Sequence, residues 1–586
     1  MKIKNIIITL CNILVAASCN FLDVDPNVIC ADTFYNTELE VKNGLAGIYG
    51  VMSNEEFYGN YYSLMCSNVD DLSYFNRSTT ANYTQIYTHD ASTSEIYEVW
   101  SEIYAGIRNA NAFMDAVPLT KFDPEGKYYN EARFLRAYYH FILAQAWGDV
   151  PLKDKASTSV DDVMCEATSQ YEVLKWAAEE MEACIPLADT TLVNAPSRIT
   201  RNAVRGILSR VYLFMAGESV IGADKKECYR RAMCHADTII QSGLHKLNSD
   251  YSKVFINMIK DEYDVEFNES IWEVDFLGNR QSAETWSNGR IGDLIGLQSS
   301  GSEGYGTFAC NYSYGQYDGS LKLWDLYWKE DLPKEDSAKA KTVTDKRQLW
   351  NMPPYNYAGV TVKLTTKSSK GADSVAVQKT IPASFEKSPY VYGNRVADNS
   401  VLQLKEVNEI FYDPTTAAGI RNCGKWRREV QYEGTMDSKR LYTGINFPLL
   451  RYSDVLLMYA EASLEYEGVV TQKAYDRVKD VRDRAGVSTL RYSEYNVDSF
   501  RQFVRNERGR ELCFEATRKY DLIRWGIFVT EMNDYYKWTG DGRWSKSAKA
   551  SYARAIGRAV QPKHVVLPIP SVELGVNSKL TQNPLW

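Results

Sequence analysis

Histidine is scarce. There are five in 586 residues (His89, His140, His235, His245 and His564), no two at a metal-ligand spacing, and no HExxH occurs. GxSxG elbows, phosphate loops and dinucleotide fingerprints are also missing, which weakens an enzyme reading and leaves open only an Asp/Glu pair assembled from distant segments. Eleven cysteines are spread over the whole chain without a CxxC pair, which argues against a zinc ribbon or a thioredoxin-like site. Cys11 and Cys19 fall in or just after the leader. The other nine are odd in number and irregularly spaced, and most read as small buried hydrophobes. Cys228 and Cys234, six apart, are left open as a pair. Beyond the N-terminus no apolar run reaches the roughly 20 residues a membrane helix needs. Charge of one sign is lacking too. With 67 basic and 75 acidic residues the formal charge is −8, so nothing attracts nucleic acid or anionic lipid in general.

What is present is a globular composition, 45% hydrophobic and 24% charged, in a chain longer than one ordinary domain. Tyr outnumbers Phe, 41 to 20. Its apolar ring and polar tip suit half-exposed and wet faces. Residues 1–18 read as a secretory leader: Lys2 and Lys4 precede the apolar stretch Ile6 to Ser18, which is too short to span a bilayer. Ala16, Ala17 and Ser18 then present small side chains before Cys19, whose thiol is the expected lipidation site. This lipobox has Ala16 where Leu is usual. It predicts a protein anchored to a membrane by lipid and not spanning it.

Three zones follow. Residues 19–245 carry helical period. In Glu131–Trp147, Ala132, Leu135, Tyr139, Ile142, Leu143 and Ala146 share one face. Asn202–Ala216 and Tyr229–Gln241 form two helices in about 40 residues, the size of a tetratricopeptide hairpin. Residues 246–440 are rich in Gly, Tyr, Ser, Asp and Trp and largely lack that period. Val360, Val362 and Leu364, a polar turn near Ser368–Gly371, then Val375 and Val377 predict a β-hairpin. Long irregular stretches of this kind tend to carry function. Residues 441–586 return to helix over Leu449–Glu467, Lys473–Arg484 and Ser499–Phe514. They end in a Pro-rich tail expected to lie extended along the body. The expected fold is mostly α, a scaffold of tetratricopeptide-like hairpins with a large loop-rich region and a little β-structure. Residues 19–586 are expected to form one compact unit.

Several segments in order resemble the SusD/RagB family: FLDVDPN (Phe21–Asn27), EARFLRAYYHFILAQAWGDVPL (Glu131–Leu152), SRITRNAVRGILSRVYLF (Ser197–Phe214), RYSDVLLMYAEASLE (Arg451–Glu465), ERGRELCFEATRKYDLIRWG (Glu507–Gly526) and PIPSVELGVNSKLTQNP (Pro568–Pro584). The likeness runs from Cys19 to the C-terminus. Thr517 stands where the family often has His, and the chain ends in Leu585-Trp586 where relatives end in Gly and an aromatic. The resemblance implies a non-catalytic, outward-facing outer-membrane lipoprotein. Such a protein binds a nutrient, usually an oligosaccharide or polysaccharide, and delivers it to a SusC-like TonB-dependent β-barrel transporter. Peptide or another nutrient is the alternative ligand; a surface glycosidase and a protein-only scaffold are further readings.

The densest charge lies in Glu507–Arg524. Glu507, Glu511 and Glu515 are spaced i, i+4 and present the paired carboxylates a glycosidase would use. The reading preferred here is a structural charge network of Arg133, Arg136, Glu507, Arg510, Glu511, Glu515, Arg518 and Asp521. It has Glu507–Arg510, Glu515–Arg518 and Glu515–Lys519 as helical pairs and Arg136 bonded to a carboxylate of the segment. Asp149 and Trp147 read as a cap and turn, and Trp324 and Trp328 as core. Sugars offer C–H faces to aromatic rings and hydroxyls to polar groups, so ligand contacts are sought where Tyr and Trp sit in irregular polar sequence. Two stretches fit, and the resemblance points to the same regions. One holds Tyr74, Asn76, Arg77, Asn82 and Tyr83. The other holds Trp286, Asn288, Arg290, Tyr305, Tyr312, Tyr314, Trp350 and Tyr355. No metal or cofactor is expected. The Asp-rich loops leave a structural calcium open, without EF-hand spacing.

Overall fold

Side-chain caps set many of the helix starts. Thr37 opens α1 (Glu38–Gly50) with a reciprocal box: its hydroxyl accepts from the Glu40 amide, and the Glu40 carboxylate accepts from the Thr37 amide. Two amides that a helix start leaves orphaned are thereby satisfied. The structure, a computed structural model, describes residues 34–586 apart from 78–82, 118–120, 158, 160–163, 189–195, 278–286, 288, 299–311, 329–344, 354–356, 369–370, 383–399, 402–420, 432–441, 536–539 and 541–547. The leader and Cys19 lie outside the described residues.

Helices α2 (Ser94–Ala116), α3 (Lys127–Trp147), α4 (Gln170–Cys184), α5 (Arg201–Met215) and α6 (Lys225–Ser242) each pack on the next. Ser169, Thr200 and Asp224 cap the last three, and Gly243 at φ +65° closes α6. The α5–α6 pair is the hairpin expected from spacing. Helix α3 is the central post: from Asn130 to Trp147 only Arg133 is not buried. It stops at Gly148, whose φ of +81° favours glycine. Trp147 is fully buried and donates to the Pro568 carbonyl at 3.0 Å. Asp149 accepts from the first amide of α4 at 2.8 Å. Both residues are therefore structural. Cys228 is buried and Cys234 exposed, and both are free thiols.

The chain then crosses α7 (Tyr251–Lys260) into short sheets. Strand β1 (Ser73–Phe75) pairs antiparallel with β3 (Tyr317–Gly319), and β2 (Ser270–Val274) with β7 (Phe447–Arg451). The hairpin of β4 (Tyr357–Ser368) and β5 (Gly371–Pro382) forms where alternation predicted it, with Ser368 opposite Gly371 and β6 (Ser400–Val401) added beside β4. Two short helices, α8 (Leu321–Trp328) and α9 (Lys346–Asn351), sit among these loops; Trp324 is buried there.

Helix α10 (Tyr452–Glu467) packs on α5 and α6 and on the following α11 (Gln472–Ala485) and α12 (Val497–Leu512), which joins the two helical zones in one core. The predicted start at Leu449 lies in strand β7, because Phe447–Arg451 pairs with β2 before the helix begins. The predicted run to Phe514 stops at Leu512. Phe514 and Ala516 take φ of +65° and +57°, and the chain turns into α13 (Arg518–Arg524). Beyond α14 (Phe528–Asn533) and α15 (Ala548–Ala559), the Pro-rich tail runs over the end of α3. The Leu567 amide donates to Ala146 O at 2.8 Å and the Asn583 amide group to Trp147 O at 2.7 Å. Contrary to a fully extended tail, a short helix α16 (Ser571–Val576) forms within it.

The charged segment is the ionic core of this frame. Arg451 is fully buried and reaches Glu269, Glu511 and Glu515 at 2.9, 3.1 and 2.8 Å. Arg347 binds Asp345, Glu507 and Glu511 at 2.8, 2.7 and 3.0 Å. Arg484 adds Glu511 at 2.6 Å, Lys425 adds Glu515 at 2.6 Å, and Arg510 pairs with Glu507 at 2.8 Å as predicted. Arg508 spans Asp454 and Asp521 at 2.7 and 2.8 Å. Four expectations are corrected. Glu515 does not pair with Arg518 or Lys519, because the turn at 513–517 removes them from a shared helix face. Arg518 binds Asp71 at 2.8 Å and Lys519 donates to the Cys66 carbonyl at 2.7 Å. Arg133 and Arg136 do not reach this segment. Both clamp Glu180 of α4, at 2.7 and 2.6 Å, and Arg136 also binds Asn111 and the Asp154 carbonyl.

Candidate functional site

The strand pair β1–β3 brings together the two stretches that the sequence singled out. Asp318, opposite Tyr74 in the register, is wholly buried and serves as their knot. Its carboxylate accepts from Asn76 Nδ2 at 2.7 Å, Asn422 Nδ2 at 2.6 Å, Lys549 Nζ at 2.7 Å and the Tyr74 hydroxyl at 3.3 Å. A buried carboxylate without such donors would be costly; with them it ties four chain segments into one platform. Gly315 beside the knot has φ +53°, and a Cβ there would meet Gln298 backbone at 2.8 Å, so a glycine is required for the close approach.

On this platform the backbone turns outward. Arg77 donates from Nη2 to the Tyr314 carbonyl at 2.5 Å. The Tyr312 and Tyr314 rings meet edge to face with centroids 4.8 Å apart, both half-buried, and Arg428 holds the Tyr312 carbonyl at 2.7 Å. Tyr83 is exposed on the first stretch. Arg290 is half-buried; its guanidinium binds Asp293 at 2.7 Å and Glu55 at 3.1 Å and lies over the Tyr442 ring, while its amide donates to Gly59 O. Burial alone would raise the Asp293 carboxyl, and it does so to about 6 even against the pull of Arg290 and Arg428.

Three expected contacts are placed inside instead. Tyr74 is 0% and Asn76 1% exposed, spent on Asp318. Trp350 is 3% exposed and its ring face is covered by Arg427, 3.9 Å from the centroid. These side chains build the platform and offer no surface to a ligand, because local polarity in the sequence does not reveal which rings a neighbouring loop covers. Asn82, Trp286, Asn288, Tyr305 and Tyr355 lie outside the described residues. Sequence reasoning passed over Tyr442 and Glu55, which flank Arg290 with a 3.1 Å bond between them. Tyr442 had a signal, being another Tyr at the border of the irregular zone; Glu55 had none.

The paired carboxylates that suggested a glycosidase are not available as acid and base. Glu507 and Glu511 are fully buried. Burial would raise Glu507, but Arg347, Arg482 and Arg510 outweigh it and hold the carboxyl at about 2. Glu511 is held lower still by Arg484, Arg451 and Arg347 against its own desolvation. A group locked as a carboxylate and sealed from solvent cannot donate a proton to a glycosidic oxygen. Among the described residues no group of three His, Cys, Asp or Glu could hold a metal ion, and no helix is long and apolar enough to cross a membrane.

A helical scaffold that presents aromatic and polar loops on a rigid knot, with Glu507 and Glu511 locked in ion pairs, has the form of a binding protein. The family comparison agrees. Residues 268–586 match the SusD family and residues 20–213 a family described as starch-binding, associating with the outer membrane. The chain belongs to the SusD family, whose binding proteins are non-catalytic. A SusD-like protein, P25, from Formosa agariphila is 24% identical, with 100% of this chain and 98% of the relative covered. A SusD homologue of known structure from Bacteroides thetaiotaomicron superposes with a TM-score of 0.75 at 23% identity, over 95% of this chain and 98% of that one. A laminarin-binding SusD-like protein gives 0.61 at 18% identity, over 94% and 100%.

Proposed function

We propose that this protein is an outward-facing outer-membrane lipoprotein, anchored through Cys19, that captures an oligosaccharide or polysaccharide and passes it to a SusC-like TonB-dependent transporter. The observation that carries the capture reading is the platform at Asp318. It fixes Arg77, Tyr312 and Tyr314 beside one another at half-burial, so ring faces and a guanidinium are presented with little rotamer freedom left to lose on binding. Arg290, with the Tyr442 ring over it, adjoins the same face through Asp293, whose carbonyl accepts from the Tyr314 amide at 2.7 Å. Sharing a family with a laminarin-binding protein supports glycan as the ligand class. Delivery to a transporter rests on the family alone.

Calorimetric titration against plant, host and microbial oligosaccharides, with peptide pools alongside, tests the reading. Binding of one glycan class with no product released is expected. Tyr314→Ala is expected to weaken it about tenfold, or ~1.4 kcal/mol. Binding of peptides alone would move the function to peptide capture, and release of shortened glycan would overturn the non-catalytic reading.

A further inference from the structure

A second cleft, sharing no residue with the loop face, opens between α2, the 151–157 segment and the C-terminal tail. Its volume is about 510 Å³, inside the range of roughly 300–1,000 Å³ typical of small-ligand sites. One face of α2 supplies a wall: Tyr97, Trp100, Tyr104, Arg108 and Asn111 all line the cleft, at the 3-and-4 spacing of a single helix stripe. Trp100 is buried behind the wall, its ring 5.0 Å from Tyr104. Tyr97 and Tyr104 are half-buried, so they keep ring surface towards the opening.

The opposite lip is held in shape by buried groups. Asn111 Nδ2 takes the carbonyls of Lys153 and Lys155, each at 3.0 Å, and Tyr104 takes that of Pro151 at 2.8 Å. Arg136 takes that of Asp154 at 2.6 Å, and the Lys153 amide donates to His140 at 3.1 Å. With its backbone carbonyls bonded inward, the segment places Lys153 and Lys155 in the lining of the cleft. Three cations (Arg108, Lys153 and Lys155) thus face a single lining carboxylate, Glu573, in a chain whose overall charge is −8. Among the described residues neither Arg108 nor Lys155 has a salt-bridge partner.

We infer that this cleft is a second ligand site, one that takes an acidic sugar: the rings of Tyr97 and Tyr104 meet the pyranose C–H face, and Arg108 with Lys155 receives its carboxylate or sulfate. Cations without a contact ion pair at the rim of an aromatic-walled cleft, Arg108 feeling only the more distant Glu102, favour an anion over water, and a guanidinium suits a planar carboxylate or a sulfate. The site makes the protein selective for charged glycans independently of what the loop face binds.

The test is titration of the purified protein with trigalacturonate, with its fully methyl-esterified form and with a sulfated chondroitin tetrasaccharide. Esterification keeps the rings and removes the charge. At least one acidic probe is expected to bind. Where trigalacturonate is that probe, its ester should bind at least tenfold more weakly, and binding should fall with added salt. The Arg108→Gln/Lys155→Gln double variant should lose at least tenfold in affinity for the acidic probe while keeping its melting temperature. Both positions are exposed, so the fold is not at risk. Failure of both acidic probes to bind overturns the inference. So does equal affinity for trigalacturonate and its ester, or undiminished binding in the double variant.

Discussion

Glu511 shows what one buried side chain contributes here. It is fully buried and receives Arg347, Arg451 and Arg484 at 3.0, 3.1 and 2.6 Å. Replacing it by alanine takes one carboxylate from three buried guanidiniums, which keep only Asp345, Glu507, Glu269 and Glu515 between them, and leaves the cluster with one more uncompensated positive charge. Glu511→Ala is expected to cost about 3–5 kcal/mol, the typical penalty for leaving a buried ion uncompensated, read as a drop in the denaturant midpoint. A loss under about 1 kcal/mol would mean that water enters and solvates the cluster. Of the helical pairs expected in this segment only Glu507–Arg510 forms, and the i, i+3 rule also fits Asp521–Arg524, at 2.8 Å. The other partners come from residues 269, 347, 451 and 484, and no local rule reaches that far along the chain.

At the scale of elements, the tail and the loop before α2 meet in an aromatic box. His89 and His564 have ring centroids 5.1 Å apart, Trp586 lies 5.1 and 5.4 Å from them, and Tyr87 lies 5.5 Å from His564. The charged groups facing the box are Lys519, from α13, and Lys563. Burial disfavours the imidazolium, and the two lysines add to the effect. His564 is pushed down to about 3 and His89 also lies well below the usual value. Unfolded imidazoles take up protons near pH 6.5 while the native ones stay neutral. Below that pH the unfolded chain therefore binds more protons, and stability falls as pH drops from about 6.5 towards 3. Glu273 works in the opposite sense. Its burial lifts it to about 7, so the native state gains that proton first and is favoured as pH falls from 7 towards the ordinary carboxylate range. His89→Phe keeps the ring packing and removes one titrating group. Melting temperatures from pH 7 to 4 are expected to fall less steeply in this variant, by up to ~1.4 kcal/mol of stability per pH unit. An unchanged slope would show that His89 is protonated in the native state. The helices on either side of the box were legible from period and caps. The box was not, since it joins residues 475 positions apart (89 and 564).

For the whole molecule, the proposed attachment and the proposed capture are separable. Cys19→Ala is expected to abolish lipid labelling and release the protein from the outer membrane fraction, while leaving glycan titrations of the soluble chain unaltered. Retention in the membrane after that substitution would place the anchor elsewhere. The sequence raised the same expectation: a lipobox, no later apolar run long enough to span a bilayer, and Tyr-rich loops in a chain without surplus positive charge.

By itself the sequence determined what is local or carried in order along the chain. Apolar period and caps place the helices, alternation places the β4–β5 hairpin, and the ordered segments identify the family. Tertiary structure alone decided which polar side chains face solvent. Tyr74 and Asn76 look like ligand contacts beside Arg77, yet they are consumed by Asp318, 242 positions beyond Asn76. Arg136 looks like a partner of the C-terminal charges, yet Glu180 takes it. The reason is physical. Burial and pairing energies depend on distance in space, and a residue's neighbours in sequence do not specify which remote segment the packed core will press against it.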